Sequence, residues 1–490
     1  MKIADAGMIR RAETAAVADG TAEFQLMLRA GRQAAEFIAA LMVRYGFRRI
    51  VFLCGGGNNA GDALVAAALL FDRYPISLHL LRRFEDFKGA AAEAVELLPD
   101  ELKRTTGEPG APLELSGGDL LVDGILGIGI HGSVRSDAAR WIAEINASRL
   151  PVLALDLPSG MDPDTGEGLA PGGEAVRARW TLAFGAPKTG SFTPDGVRFS
   201  GALRVADIGL SGYLPDSSVE AYTSAEAVRD LPRYAADIHK RRRGSVLVMA
   251  GSPRYPGAAA LATLGCLRGG AGVVRTLYPA GAGPSLPAAA IPVALSTLPE
   301  WSGFSAEVLV AGPGWGDAFA PEYLARALMF PGKLLLDADA LNLLAAHPVL
   351  WKRRTPCVMT PHPGEAERLR RAFGIPEGLT RTELAGELAA RTGAVIVLKG
   401  ARTVVADASG RISFNCSGAP ALATAGSGDV LAGLIGALLA NGLPVYDAAR
   451  LGVFIHGMAG ERCGRGCIAD DLPQAAAAVI AEIENALIDG

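Results

Sequence analysis

The chain is short of cysteine, of net charge and of long apolar runs, and each shortage excludes a class of protein. Its six cysteines among 490 residues (Cys54, Cys266, Cys357, Cys416, Cys463 and Cys467) lie mostly inside apolar stretches. That excludes a disulfide framework and points to reduced thiols in the cytoplasm. Only Cys463 and Cys467 are close together, and with no second ligand pair nearby they read as an inert helix end in preference to a zinc centre. A formal charge of −4, with the densest basic run confined to residues 240–243, leaves no electrostatic footprint for nucleic acid. That run reads as a solvated linker edge. No stretch of about 18 uncharged apolar residues occurs, and the opening MKIADAGMIRRAETAA carries charges where an export signal keeps its apolar core. A soluble cytoplasmic protein with no membrane or nucleic-acid partner is the expectation.

What is present is ordinary globular composition at more than one domain's length. A single core rarely grows beyond roughly 250–300 residues, so two or more domains are expected. Half the residues are apolar, a fifth are charged and 61 are glycine, which fits compact domains rich in tight turns or ligand-cradling loops. Short β-rich runs ending in Gly or Asp alternate with Ala/Leu-rich helical stretches in both halves, the pattern of parallel sheets wrapped by helices. Between about residues 205 and 243 this rhythm lapses into a polar stretch, and the boundary is placed there, dividing the chain into domains 1–215 and 216–490. The halves share no repeat, so two different α/β domains are fused. The Ala-rich stretch TAEFQLMLRAGRQAAEFIAALM near the start serves as core or as a subunit interface, and a homo-oligomer is expected.

In the first half, apolar strands over residues 50–54, 120–123 and 152–156 are each followed by a turn with chemistry in it. The first leads into GGGNNAGD (55–62), the second opens VDGILGIGIHG (122–132), and the third opens LDLPSGMDPDTG (155–166). In an open parallel sheet the ligand crevice lies beyond the carboxyl ends of the strands, so Asp123 and Asp156 should face one cleft with the glycine loop. Glycines after a strand let backbone N–H groups approach a phosphate, yet Asn58, Asn59 and Asp62 add oxygens that suit a hard cation or polar ligand better. On the loop alone, a simple asparagine turn is an equal alternative.

Together the three motifs closely resemble the NAD(P)H-hydrate epimerase family over nearly all of residues 1–215, which implies a Rossmann-like fold. The resemblance implies that Asn59, Asp123 and Ser159 hold a potassium ion. It also implies a substrate site lined by Asn58, Asn59, Ala60, Gly61 and Asp62 together with Gly127, Ile128, Gly129, Ile130, His131, Gly132 and Ser133, and gives Asp156 the acid-base role. Exchanging the R and S hydrates at C6 of the nicotinamide ring needs proton transfer and brief loss of the hydroxyl, work suited to a carboxylate in a cleft. Ala60 and Ala63 stand where the family usually has glycine, which matters if either position needs positive φ or close ligand approach.

In the second half, GSGD at 426–429 starts a long apolar helix, where backbone donors can hold an anion. Asp429 either caps that helix or, as in ribokinase-like kinases, takes a proton from an attacking hydroxyl. The ordered segments VMAGSPRYPGAAALATLGCLRGGAG (248–272), VAGPGWG (310–316), DADALNLL (337–344), TPHPGEAERL (360–369) and VLKGARTVV (397–405) resemble the NAD(P)H-hydrate dehydratase domain over about residues 220–490. Singly, His362 reads as a turn residue and Lys399 as a surface charge. The resemblance implies that Lys399, Gly400, Ala401, Arg402, Thr403 and Gly428 contact ADP or ATP, and that Ala258, Gly314, His362 and Asp429 contact the hydrate. Asp337 and Asn342 border the site in support. Ser427 replaces a threonine often found there, with the backbone donor unchanged. The implied reaction is phosphoryl transfer to the C6 hydroxyl and loss of phosphate, with Asp429 as general base and Mg2+ screening the phosphates. ADP is the favoured donor. The alternative is a ribokinase-like small-molecule kinase with a non-catalytic nucleotide-binding first domain.

Overall fold

The computed structural model describes residues 1–130, 132–235, 237–352 and 355–486. The chain divides into two compact units between Ser217 and Ser218.

The first unit is built on six parallel strands, β1 (Arg49–Cys54), β2 (Ile76–Leu80), β3 (Asp119–Gly124), β4 (Val152–Leu155), β5 (Trp180–Phe184) and β6 (Ala202–Ala206), in the order β2-β1-β3-β4-β5-β6. Strand side chains alternate between faces, and β1 has apolar residues on both. Ile50, Phe52 and Cys54 pack with helices Glu23–Tyr45 and Asn58–Leu70, while Val51 and Leu53 pack with helix Ser136–Ser148 around the buried Trp141. A strand covered on both faces reads as an unbroken apolar run, which is why the sequence pattern is legible. Helix Glu23–Tyr45 buries Leu26, Met27, Ala30, Gly31, Ala34, Ala35, Ile38, Leu41 and Met42, so its apolar stripe is core within this unit. Full burial of each large aliphatic among them is worth about 1.5–3 kcal/mol. Strand order reverses between β1 and β3, which opens a crevice at their carboxyl ends.

The second unit carries ten strands, β7 (Val219–Tyr222), β8 (Ser245–Met249), β9 (Val273–Pro279), β10 (Ile291–Leu295), β11 (Val308–Ala311), β12 (Lys333–Leu336), β13 (Cys357–Met359), β14 (Val395–Leu398), β15 (Val404–Ala406) and β16 (Ile412–Asn415). Their order is β10-β9-β8-β11-β12-β13-β14-β15-β16-β7. Pairing is parallel except where β15 runs antiparallel to β14 and β16. One face is covered by helices Pro256–Arg268, Ser427–Ala440 and Val445–Cys463, the other by Ala338–Ala346, Pro363–Ala372 and Arg381–Thr392. Helix Ser427–Ala440 is buried on nearly every side, so its sequence is apolar all round rather than amphipathic. The order reverses between β8 and β11, again marking a crevice at the strand ends.

The polar stretch at 205–243 holds more structure than its composition promises. Its residues Val219–Tyr222 form β7, which pairs in parallel with β16 at the sheet edge, and helix Ser224–Asp230 follows with a Thr223/Glu226 capping box. A four-residue edge strand is too short to show an apolar period.

Candidate functional site

A cavity of about 790 Å3 opens at the β1/β3 reversal in the first unit. Its floor is made by two loops that cross closely. A Cβ on Gly55 would stand 1.9 Å from the Ile125 carbonyl oxygen, so no other residue type fits there. Residues Asn58, Asn59 and Asp62 reach the cavity from the start of helix Asn58–Leu70, and Gly127, Ile128, Gly129 and Ile130 line it from the loop after β3.

Asp156 enters from the end of β4 with φ at 65°. This left-handed conformation is uncommon outside glycine and tolerated by a short polar side chain. It turns the carboxylate toward Lys188, whose side chain is 1% exposed. The Lys188 ammonium donates to Asp156 Oδ1 and to the carbonyls of Phe184 and Ala186, both at 3.1 Å. The Phe184 N–H also donates to Asp156 Oδ1 at 3.1 Å. A buried ammonium is tolerable only when its donors are matched in this way. Two further carboxyls face the same space. Burial, reinforced by the charge of Asp156, raises Asp62 well above the usual carboxylate range and brings Glu13 to about 6.

Beneath the loops lies an oxygen cluster. Ser159 donates from its hydroxyl to Asp123 Oδ1 (2.5 Å) and from its backbone N–H to Asp123 Oδ2 (2.8 Å). The Leu126 N–H donates to Ser159 Oγ at 2.8 Å, and Asn59 Nδ2 donates to the Leu126 carbonyl at 2.9 Å. Asn59 Oδ1 is buried with no hydrogen-bond partner. Burial lifts the Asp123 carboxyl to about 6 against the bonds from Ser159 and Ile125. An orphaned amide oxygen beside a buried carboxylate and a hydroxyl is a donor set that fits a cation bound by oxygens. Among the described residues no cluster of three or more His, Cys, Asp or Glu forms a metal site, and none of the six cysteines is in a disulfide.

Not every expected residue reaches the cavity. Ala60 and Gly61 are buried behind it; a Cβ on Gly61 would meet Met27 Sδ at 2.5 Å. Gly132 and Ser133 are exposed and are not part of its lining, and His131 lies outside the described residues. Asn58 Nδ2 donates to Glu23 Oε1 at 2.9 Å. Ala60 and Ala63 sit fully buried in a regular helix with no positive φ at either position. The Ala63 Cβ fills the space beside Gly124, where an added Cβ would come within 2.8 Å. The close approach is made by the glycine on the strand, so alanine on the helix is accommodated.

In the second unit the strand ends gather a charged cluster. Asp337 follows β12 and Lys399 follows β14. Lys399 Nζ donates to Asp337 Oδ1 at 2.8 Å, Thr360 Oγ1 donates to the same oxygen at 2.7 Å, and Glu365 Oε2 lies 3.9 Å from the ammonium. Burial opposes the charge on Lys399, but Asp337 and Glu365 outweigh it and hold the ammonium above its ordinary range. Burial, with Lys399 pulling against Asp337, leaves Glu365 above the usual carboxylate range. The first turn of helix Ser427–Ala440 abuts this pair, since a Cβ on Gly428 would stand 3.4 Å from Lys399 Nζ. Asp429 in the first helical turn is raised to about 8, by burial and by Asp337, with Lys399 opposing. The arrangement joins an anion-accepting helix start, a fixed ammonium and a carboxyl poised to exchange a proton near neutrality.

The remaining expected residues divide by role. Gly314, at φ +62°, packs against Ala258, since an added Cβ would stand 2.5 Å from the Ala258 methyl. His362 caps helix Pro363–Ala372, its Nδ1 accepting from the Gly364 N–H at 2.9 Å, while half its side chain stays exposed. Gly400 is at φ +144°, and the Ala401 carbonyl accepts from Arg381 at 2.7 Å. Arg402 points inward to the Cys416 carbonyl (3.1 Å), and Thr403 Oγ1 donates to the Gly400 carbonyl at 3.0 Å. Asn342 bridges Asp339 and Arg368.

Residue reasoning from sequence passed over Glu13, Lys188, Glu365 and His456. Lys188 had a signal, because GAPKTG follows an apolar strand as the other three turns do. His456 is buried with Nε2 3.0 Å from both the hydroxyl and the carbonyl of Ser427. Burial drops its pKa to about 4, so a neutral ring steadies the GSGD turn.

Comparisons with known proteins follow the two units. Residues 23–190 match the family model described as YjeF-related protein N-terminus, and residues 246–481 match the model described as NAD(P)H-hydrate dehydratase. The chain is 37% identical over 446 residues to the bifunctional NAD(P)H-hydrate repair enzyme of Moorella thermoacetica, covering 85% of this chain and 84% of the relative. It is 36% identical over 484 residues to the enzyme of that name from Coxiella burnetii, covering 95% and 96%. A solved structure of the ADP/ATP-dependent NAD(P)H-hydrate dehydratase of Bacillus subtilis, co-crystallised with ATP/Mg2+, is 30% identical and covers 55% of this chain and all of that one, with a TM-score of 0.48. With relatives at this identity along nearly its whole length, the chain belongs to the family of bifunctional NAD(P)H-hydrate repair enzymes.

Proposed function

We propose that the chain returns hydrated NADH and NADPH to service in two steps, the first unit interconverting the R and S hydrates and the second dehydrating the S hydrate at the expense of ADP or ATP. The observation that carries this reading is that each unit sets a catalytic carboxyl beside a fixed lysine at the carboxyl ends of its own parallel sheet, Asp156 paired with Lys188 in one and Asp429 facing the Lys399–Asp337 pair in the other.

In the first unit the nicotinamide end of the hydrate occupies the 790 Å3 cavity, with Asp156 held by Lys188 against the ring. Asn59, Asp123 and Ser159 hold potassium, supported by the orphaned Asn59 Oδ1 and the buried Asp123 carboxylate. When bound, the ion supplies positive charge that fixes the loop over the substrate. In the second unit Lys399, Gly400 and the N-terminus of helix Ser427–Ala440 receive the nucleotide phosphates, accompanied by Mg2+. Asp429 takes the proton from the C6 hydroxyl as it accepts the phosphoryl group. Ala258, Gly314 and His362 shape the hydrate side. Arg402 and Thr403 hold the nucleotide loop through their own hydrogen bonds. No helix among the described residues is long and apolar enough to cross a membrane, and six cysteines outside any disulfide fit the reducing cytoplasm where we place the enzyme.

Racemic hydrate tests the division of labour. With nucleotide present both epimers should be consumed; consumption of one alone would make the first unit a binding module. A kinase reading of the second unit predicts a stable phosphoester of a small alcohol instead of reduced nicotinamide.

A further inference from the structure

This inference rests on the epimerase reading of the first unit. Helix Ala6–Ala18 lies outside the segment 23–190 matched by the family model, yet it forms a wall of the cavity through Ile9, Arg10 and Glu13. It is fixed there from several sides. Asp5 caps it, accepting from the Met8 N–H at 2.6 Å, and the Ala6 N–H donates to Asp164 Oδ1 at 2.8 Å. Arg10 donates to the Ile128 carbonyl at 2.7 Å, and Ala4 pairs with the Lys188 backbone.

Inverting C6 requires the C–O bond to break and to form again from the other face, and the departing oxygen needs a proton. Asp156 is poorly suited to deliver it, because Oδ1 already accepts from the Lys188 ammonium and the Phe184 N–H. We propose that Glu13 is the second catalytic residue of the epimerisation, the carboxyl that protonates the departing C6 hydroxyl and recovers the proton when water returns. The bonds balance without a co-reactant. As the C6–O bond breaks, its electron pair stays with oxygen, which takes the Glu13 proton and leaves as water. The ring nitrogen lone pair forms N1=C6, and the cation faces the Asp156 carboxylate. Water then adds to the opposite face, the nitrogen regains its pair, and the released proton returns to Glu13.

The groups around Glu13 are Arg10 on its own helix, Glu23 on the next, Asp62 at the start of helix Asn58–Leu70, Asp156 after β4 and Lys188 after β5. Burial and the neighbouring acids outweigh the two cations and bring its carboxyl to about 6, where it exchanges protons readily at neutral pH.

The test uses the full chain, wild type, Glu13→Gln and Glu13→Asp, with purified R hydrate and no nucleotide, following epimer ratio and incorporation of oxygen from labelled water. Glu13→Gln should lose about 100-fold in kcat with KM held within about threefold, and label incorporation should fall in step. Glu13→Asp should recover part of the rate with a displaced pH profile. Dehydration of S hydrate with ADP should be the same in all three. A Glu13→Gln kcat within about threefold of wild type overturns the proposal. So does a loss in Glu13→Gln with raised KM and an unmoved pH profile in Glu13→Asp. If wild type itself converts no R hydrate while dehydrating S hydrate, the epimerase reading has failed first.

Discussion

Replacing Lys188 by methionine isolates the pair on which the first site is built. The ammonium is 1% exposed and holds three oxygens, those of Asp156, Phe184 and Ala186. Methionine keeps the stem's volume but leaves a carboxylate with only the Phe184 N–H and two carbonyls without their donor. Removing one partner of a buried pair costs about 3–5 kcal/mol. Because the Asp156 side chain is 12% exposed to the cavity, water recovers part of the loss and the lower end applies, about 3 kcal/mol. For a unit of this size each kcal/mol moves the midpoint by about 2–4 °C, so calorimetry should show the first unit's transition falling by about 6–12 °C. The double variant Lys188→Met/Asp156→Asn removes the stranded charge and should recover at least half of the fall, since asparagine also accepts positive φ. A single-variant shift below about 2 °C, or a double variant no more stable than the single, would refute the argument that this ion pair organises the site.

Other consequences are checked more simply. Dehydration should rise with pH up to about 8, because a base at Asp429 works only unprotonated; Asp429→Asn should lose about 100-fold or more in kcat. The same raised pKa carries a stability sign. The folded state binds this proton more tightly than the unfolded one, so stability falls as pH rises between the ordinary 3.8 and about 8, by about 1.4 kcal/mol per pH unit from this group. Asp429→Asn should flatten that slope in chemical denaturation. Potassium at about 100 times its dissociation constant should stabilise the first unit by about 2.7 kcal/mol over lithium, and Asn59→Ala should abolish the difference. Ala60→Gly and Ala63→Gly should each cost about 1 kcal/mol of stability with no gain in epimerisation rate; a faster variant would contradict the helix geometry.

The parts legible in the sequence are those where chemistry and strand periodicity coincide. Asp123 and Asp156 sit at the ends of strands buried on both faces, so an apolar run followed by an acid marked them. Asp429 was marked by glycines before an apolar helix. Glu13 was not legible, because a glutamate on the polar face of an amphipathic helix has the pattern of a solvated residue; it faces the cavity only because Ala4, Ala6 and Arg10 dock that helix. Lys188 was missed for the opposite reason. Lysine is expected at the surface, and its burial depends on Asp156, which lies on another strand end, as well as on the nearby Phe184 and Ala186 carbonyls. Ala60 and Ala63 need no positive φ, which answers the conformational half of the doubt they raised in sequence, and the tight helix–strand approach belongs to Gly124. Strand β7 was hidden by its length.

The measurement that bears most directly on the whole account is regeneration of reduced nicotinamide absorbance from an epimer mixture of hydrated NADH by the purified chain, supplied with ADP or ATP and potassium. Complete recovery is predicted for the wild type, recovery of the S fraction plus spontaneous epimerisation for Asp156→Asn, and recovery slowed about 100-fold or more for Asp429→Asn. No recovery by the wild type with either nucleotide, or recovery by Asp429→Asn at the wild-type rate, would contradict it.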